Sequence, residues 1–189
     1  MLIQSNAERA AALIQSFKLI AVDQTSEARR TFDLGEYINE VILSLRPAFK
    51  HTNIDIEITC DEKIQVDGYP GALSQIITNM VTNSLHHAFA PDQSGKLRIT
   101  AAAQENQRVQ ITFQDNGKGI QPENLSRIFD PFFTTKRSAG GSGLGLNIAY
   151  NLITQTLGGT ISVDSLPGQG TTFTIIFPQV VPRHANASP

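Results

Sequence analysis

The chain has little cysteine and no long hydrophobic run, and both deficits exclude classes of protein. Cys60 is the only cysteine among 189 residues, so no disulfide can form within the chain and a reducing compartment is expected. No Cys or His pairs recur at the spacing of zinc ligands, which argues against a zinc site. No apolar run approaches the roughly 20 residues that span a bilayer, and the N-terminus lacks a signal-peptide pattern. We therefore expect a cytoplasmic location, with any membrane anchor of the parent protein outside this sequence.

The chain also lacks a large excess of positive or negative charge. The 15 Lys and Arg residues nearly balance the 17 Asp and Glu residues, and the net charge of -2 offers no basic patch for nucleic acid. A hydrophobic content of 40% over 189 residues is enough for one domain with a full core and a short appendage. We predict a domain over residues 29–180, preceded by a separate helix at 1–28 and followed by a polar tail at 181–189.

The two common nucleotide signatures are absent as well. A P-loop requires Ser or Thr after its Gly-Lys pair, but Lys96 is followed by Leu97 and Lys118 by Gly119. A dinucleotide fingerprint requires a third glycine three residues after Gly143, where the chain has Leu146. Any nucleotide site in this chain must therefore be of another kind.

The chain does have a dense group of motifs between Asp115 and Leu146. Asp115 ends a predicted strand and is followed by Gly117 and Gly119, so a carboxylate can point into a pocket beside a tight backbone turn. The glycine-rich run 140–146 precedes a predicted helix, whose first N–H groups and dipole can stabilise an anion. A hydrogen-bond acceptor and a phosphate cradle in one segment indicate an ATP site. The glycine run alone would fit an ordinary loop equally well.

A polar stripe runs along the predicted helix upstream of these motifs. Gln75, Asn79, Asn83 and His87 recur at every fourth position and so share one face. Two asparagines in mid-helix are hard to justify by helix stability, because Asn has poor helix propensity. Without the downstream motifs, a solvated face would explain the stripe as well as a binding site does.

Taken in order, these motifs resemble the four sequence boxes of the sensor histidine kinase ATP-binding domain. The boxes are Asn79-x-x-x-Asn83, Asp115-x-Gly117-x-Gly119-Ile120, Phe129-x-Pro131-Phe132 and Gly141-x-Gly143-Leu144-Gly145-Leu146. The resemblance covers about residues 28–180 and extends to the superfamily shared with type II topoisomerase and heat-shock chaperone ATPases. It implies ATP and Mg²⁺ as ligands and a Bergerat-type fold.

The resemblance also implies roles for single residues. Asn83 matches the magnesium ligand, Asp115 the acceptor of a hydrogen bond from the adenine amino group, and Lys136 a cation that reaches the terminal phosphate. Asn79 occupies the place where hydrolases of the superfamily carry a glutamate that activates water. An amide cannot accept that proton, which favours holding ATP intact. Thr171 is a candidate for the water network around adenine.

Further nucleotide contacts follow from the same motifs. They are His86, His87, Gly117, Gly119, Ile120, Gly141, Ser142, Gly143, Leu144, Gly145 and Leu146. His86 replaces a basic residue of the family, which leaves its role open. Residues 116–141 are expected to form a mobile lid. Phe129, Phe132 and Phe133 are expected to pin that lid or dock on a helical hairpin rather than touch nucleotide, unless they form a purely structural cluster.

The function implied is transfer of the γ-phosphoryl group of ATP to a histidine. The family's acceptor is a His followed by an acidic residue, with proline five positions on. His86 has Pro91 at that spacing, but its neighbour is His87, and we take the match as coincidence. The chain thus resembles a kinase fragment without its substrate histidine. A superfamily ATP hydrolase and a degenerate dimerisation module are the alternatives. Expected partners are a second copy of the chain and a response regulator receiver domain, with no nucleic acid.

Hydrophobic periodicity predicts an α+β two-layer sandwich. The Bergerat-type fold that the resemblance implies has a mixed sheet of about five strands and three main helices. The seam Ile3, Ala7, Ala10, Ile14, Phe17 and Ala21 predicts a coiled-coil helix, which the resemblance makes the second helix of the dimerisation hairpin. Packing of this helix on its own domain is the alternative. The predicted helices then cover 36–49, 71–90 and 142–157. Strands are predicted at 31–34, at 54–58 pairing with 64–66, at 97–99 pairing with 109–113, and at 161–163 pairing with 173–177. A polar tail is predicted from Pro178.

Overall fold

The computed structural model describes residues 29–50, 52–61, 63–90, 92–135 and 142–182. The predicted coiled-coil helix at 1–28, the candidate ligands Lys136 and Gly141, and the end of the tail lie outside these residues. In chain order the elements are β1 (Arg30–Asp33), α1 (Leu34–Phe49), β2 (Ile54–Cys60), β3 (Gln65–Gly68), α2 (Pro70–His87), β4 (Gly95–Gln104), β5 (Arg108–Asp115), α3 (Pro122–Leu125), α4 (Gly145–Asn151), β6 (Thr160–Leu166) and β7 (Gly170–Pro178).

Five strands form the main sheet in the order β2-β4-β5-β7-β6. β2 pairs with β4 in parallel, and the other neighbours are antiparallel. The predicted hairpins are confirmed: β4 returns into β5 through Asn106 and Gln107, both with positive φ, and β6 returns into β7. The prediction of a mixed five-stranded sheet is therefore correct.

The helices cover one face of this sheet. The inward residues of the two central strands are almost completely buried, and the same core cluster includes residues of α1, α2 and α4; the central-strand residues are Val109, Ile111, Phe113, Phe173, Ile175 and Phe177. Burial of each such side chain stabilises the fold by about 1.5–3 kcal/mol. The opposite face keeps polar residues such as Thr112 and Thr174, which are only partly buried. The molecule is thus the two-layer sandwich that the hydrophobic pattern predicts.

Local signals place the helix starts. The Asp33 carboxylate accepts a hydrogen bond from the backbone N–H of Glu36 at 3.0 Å, so α1 begins at Leu34, two residues before its predicted start. Pro70 occupies the first turn of α2, where its missing N–H costs nothing. None of the helices in the described ranges is long and apolar enough to cross a membrane.

The predicted pairing of residues 64–66 with β2 is wrong. β3 pairs instead with β1 in a separate two-stranded antiparallel sheet, with Phe32 opposite Val66. Arg29 fixes this sheet through an ion pair with Asp67 at 2.8 Å. β2 takes the non-local strand β4 as its partner. The pairing with β1 leaves Val66 1% exposed in the core.

Two further boundaries differ from the predicted ones. The last long helix begins at Gly145 rather than Ser142 and widens into a π-helical turn at Leu152–Thr156, where the N–H of Leu157 donates to the carbonyl of Leu152. The prediction of a polar tail from residue 181 is also wrong at Val181. This side chain is fully buried and its N–H donates to the carbonyl of Asp67 at 2.9 Å, so the domain extends beyond residue 180.

Candidate functional site

A cavity of about 540 Å³ opens between α2, the loop after β5, the start of α4 and β7. Most of the described candidate residues line it, namely Asn79, Asn83, His86, His87, Asp115, Gly119, Ile120, Ser142, Gly143, Leu144, Gly145, Leu146 and Thr171. Its wall also includes residues that we did not predict, among them Thr82, Lys118, Asn124, Ile128 and Ile148. The fold thus brings motifs from four distant segments to one place.

Asp115 ends β5 inside the molecule and is only 5% exposed. Its Oδ1 accepts a hydrogen bond from the N–H of Gly117 at 2.9 Å, and its Oδ2 lies 3.4 Å from the hydroxyl of Ser84. Burial raises the pKa of this carboxyl group, while the backbone N–H groups of Gly117 and Thr171 and the Ser84 hydroxyl oppose the rise. The site therefore holds a buried carboxylate that already accepts several hydrogen bonds.

Ser84 contacts the predicted site residue Asp115, and we did not predict this contact from the sequence. It is 3% exposed in the last turn of α2, and its hydroxyl is directed at the carboxylate of Asp115. Its position beside Asn83 was an available signal, because a buried polar residue requires a hydrogen-bond partner. The partner is decided by the packing of α2 against β5.

Gly117 does not line the cavity, although we predicted a contact with nucleotide there. A Cβ at this position would collide with the backbone of Ala88, whose carbonyl accepts a hydrogen bond from the N–H of Lys118 at 2.8 Å. Gly119 has φ of +70° and its Cβ would collide with the carbonyl of Leu166. The two glycines therefore let the loop after β5 pack between the end of α2 and the β6–β7 turn.

Thr171 lies opposite Asp115 in the pairing of β5 with β7 and is 6% exposed. Its Oγ1 is 3.0 Å from the Oγ of Ser165, a residue of β6. Ser165 also accepts from the N–H of Ile120 at 2.9 Å and donates to the carbonyl of Gly170 at 2.8 Å. Ser165 was not predicted. The available signal was a serine at an inward position of a strand, after Ile161 and Val163.

The stripe on α2 contains an unsatisfied buried donor. Asn79 is 9% exposed, and its Oδ1 accepts a hydrogen bond from Gln75 Nε2 at 3.4 Å. Its Nδ2 has no partner among the described residues. A buried N–H without a partner costs about 1–3 kcal/mol, so this amide is suited to an acceptor from a ligand.

The first turn of α4 lies next to this amide. A Cβ on Gly145 would be 3.6 Å from Asn79 Oδ1, and Leu144, Gly145 and Leu146 all line the cavity. Gly143 has φ of +70°, and a Cβ there would collide with the backbone of Phe132. The glycines thus let the helix start approach α2, where its free N–H groups favour an anion.

The two phenylalanines of the third box and the adjacent Phe133 have different environments. Phe129 packs on the rings of Tyr150 and Phe173, with centroids 5.3 and 6.4 Å away, and Phe132 is 46% exposed. Phe133 lines the cavity with the guanidinium of Arg127 4.8 Å from its ring centroid. Of the three rings, only that of Phe133 lines the cavity.

These features fit a nucleotide. The volume lies in the range of small-molecule pockets, the buried carboxylate accepts, and the unpaired amide of Asn79 donates beside a helix start. In the part of the chain that the structure describes, no three His, Cys, Asp or Glu side chains lie together as a metal site. Asn83 lines the cavity with a side-chain amide, whose oxygen is a type of ligand that Mg²⁺ can take together with phosphate and water.

Comparison with known proteins gives a consistent result. The family model described as "Histidine kinase-, DNA gyrase B-, and HSP90-like ATPase" matches residues 68–181. The sensor histidine kinase ZraS of Salmonella typhimurium strain LT2 is 36% identical over 154 residues, which cover 80% of this chain and 31% of ZraS. The chain thus spans about a third of the length of the curated relatives it matches.

Solved structures agree with the sequence comparison. The nucleotide-free catalytic domain of the histidine kinase ThkA superposes with a TM-score of 0.70 at 29% identity, covering 81% of this chain and 97% of that one. ThkA in complex with the response regulator protein TrrA superposes with a TM-score of 0.71 at 26% identity, covering 90% of this chain and 48% of that one. Both superpositions cover more than four fifths of this chain.

Proposed function

This chain belongs to the histidine kinase-, DNA gyrase B- and HSP90-like ATPase family as the ATP-binding catalytic domain of a sensor histidine kinase, and we propose that it presents Mg-ATP to a histidine on another segment. In that reaction the bond between the γ-phosphorus and the β–γ bridging oxygen breaks, a phosphorus–nitrogen bond to imidazole forms, and ADP leaves. The observation that carries the proposal is a single cavity lined by the buried Asp115, the unpaired amide of Asn79 and the start of α4.

In this proposal Asp115 selects adenine over guanine. Its carboxylate is held by Gly117 and Ser84 and keeps lone pairs for the amino group of adenine. Guanine carries a carbonyl at the corresponding position and would place two acceptors against each other. Ile120, Gly119 and Thr171 line the same cavity and are proposed to bound the base.

The phosphates are assigned to α2 and the start of α4. Asn79 Nδ2 donates to a phosphate oxygen, which satisfies the buried amide, and the N–H groups from Leu144 to Leu146 stabilise the charge. His86 and His87 are proposed to contact the same groups, and so are Ser142, Lys136 and Gly141. Catalysis then consists of positioning and charge stabilisation.

Asn79 also separates transfer from hydrolysis. An amide cannot remove a proton from water, so the chain lacks a general base at the position where the hydrolases of the superfamily have one. Burial of Asn79 beside Gly145 keeps this amide at the cavity wall. We therefore favour the kinase over the hydrolase.

Magnesium binding is proposed for Asn83. Replacing Asn83 with alanine should lower the affinity for Mg-ATP about tenfold, equivalent to about 1.4 kcal/mol. The affinity for ATP without magnesium, measured in the presence of EDTA, should stay near that of the parent. Isothermal titration with and without the metal measures both. Asn39→Ala, on the exposed side of α1, is the matched control. An equal loss with and without magnesium would show that Asn83 does not act through the metal.

Acidification should affect ATP binding and the stability of the free protein in opposite directions. Burial raises the pKa of Asp115, so acidification protonates this carboxyl group at a higher pH than it would protonate an exposed aspartate. ATP binding should therefore begin to weaken at that higher pH. In the same window the folded state binds more protons than the unfolded state, so unfolding free energy falls as pH rises. Chemical denaturation of the parent and Asp115→Asn at several pH values measures this slope. An identical slope in the two proteins would contradict it.

Partners and location complete the proposal. The segment 1–28 is proposed to pair with a second copy of the chain in a helical hairpin bundle. A receiver domain is proposed as the next phosphoryl acceptor, supported by the ThkA complex with a response regulator. Use of ATP and the lone Cys60 support a cytoplasmic position.

Calorimetry with a nonhydrolysable ATP analogue and Mg²⁺ tests the proposed function directly. We expect saturable binding by the 189-residue chain, as expected for a domain with its glycines and buried carboxylate in place. Absence of binding at millimolar nucleotide would leave only the dimerisation module.

A further inference from the structure

Three hydrogen bonds converge on the hydroxyl group of Ser165, and only one of them can use its proton. The carbonyl of Gly170 can only accept, so Ser165 donates to it at 2.8 Å. The N–H of Ile120 can only donate, so Ser165 accepts from it at 2.9 Å. The proton of Ser165 is thereby committed. The third contact, 3.0 Å to Thr171 Oγ1, must then have Thr171 as the donor.

The commitment of this proton determines what Thr171 offers to a ligand. A threonine hydroxyl has one proton and two lone pairs, and the proton of Thr171 is directed at Ser165. In any further hydrogen bond with a ligand in the cavity, Thr171 Oγ1 is therefore the acceptor. Asp115, its partner across the β5–β7 pairing, is an acceptor too. Both buried polar groups at this part of the wall accept.

From this arrangement we infer that Ser165 is a specificity-determining residue, which orients the Thr171 hydroxyl so that the site favours a purine with an amino group over one with a carbonyl at the same position. The inference rests on the proposed function and assigns a second determinant of base choice beside Asp115. Ser165 does not line the cavity. It acts through Thr171, and through Ile120 it also ties the loop after β5 to β6.

Ser165→Ala tests the inference. Without the Ser165 oxygen, the Thr171 hydroxyl is released and can donate into the cavity, where a carbonyl can accept. We expect the preference for ATP over ITP, measured as the ratio of dissociation constants, to fall about three- to tenfold, the equivalent of one hydrogen bond. Ser162→Ala, on the exposed face of the same strand, is the control and should keep the parent ratio.

Two further variants separate orientation from loosening of the fold. Ser165→Thr retains the hydroxyl and should restore the ratio. Thr171→Val removes the acceptor, so it should lower the ratio by itself, and adding Ser165→Ala to it should cause no further fall. A loosened site would weaken ATP and ITP equally and leave the ratio unchanged in every variant.

The outcomes distinguish this inference from the proposed function. A parent chain that binds neither nucleotide removes the proposed function. A parent that prefers ATP, together with an unchanged ratio in Ser165→Ala or Thr171→Val, overturns the role of Ser165 and leaves ATP binding intact. If Ser165→Ala does not fold, an unchanged ratio in Thr171→Val still overturns the role of Ser165.

Discussion

Asp115→Asn is expected to weaken ATP binding by about 1–3 kcal/mol, equivalent to roughly five- to 150-fold. The change replaces a charged acceptor with an amide of the same shape in a site that is only 5% exposed. One of the two oxygens becomes an NH₂ group, which cannot accept the hydrogen bond from Gly117 or Ser84. Opposite the adenine amino group, the NH₂ group would be a second donor and could not form a hydrogen bond. Titration calorimetry with the ATP analogue measures the loss.

Asp164→Asn is the matched control for this experiment. It makes the same chemical change on the exposed face of β6 and should bind ATP as the parent does. The Asp115 variant should also be folded, since removal of a buried charge relieves the desolvation that raises the carboxyl pKa. Unchanged affinity in a folded Asp115→Asn protein would refute the assignment of the adenine contact.

The second large effect concerns activity. The 189-residue chain should bind ATP yet neither label itself with γ-phosphate nor turn ATP over appreciably. No histidine in it has the acceptor pattern, and Asn79 cannot serve as a general base. Addition of a separate helical hairpin with a His followed by Glu or Asp should start transfer, provided that it pairs with the seam of Ile3, Ala10, Ile14 and Phe17.

Radiolabelled γ-phosphate measures this outcome. Acid-labile label on the chain alone would identify His86 as an acceptor after all, and His86→Gln would then abolish the label. Steady phosphate release at the rate of a dedicated ATPase would instead move the protein to the hydrolase class. Transfer to the added hairpin without label on this chain is the result expected for a catalytic domain.

Local interactions determine what could be read from the sequence. Alternating apolar residues such as Val109, Ile111 and Phe113 predict a strand wherever it lies in the fold, and Asp33 and Pro70 mark helix starts through contacts within one turn. The ordered motifs include the cavity residues Asn79, Asn83 and Asp115, and the family resemblance that they carry adds Thr171. The β4–β5 and β6–β7 hairpins and most of the cavity wall follow from such signals.

Only the tertiary structure decided how β1, β2 and β3 pair and where buried polar groups find partners. β3 pairs with β1 rather than the nearer β2, and Val181 joins the core, because these contacts depend on free energies summed over distant segments. The direction of the Thr171 hydroxyl depends on Ser165, Ile120 and Gly170, which three different segments bring together. A hydroxyl can donate or accept, so its role has no signature in the sequence and is set by its neighbours in the folded molecule.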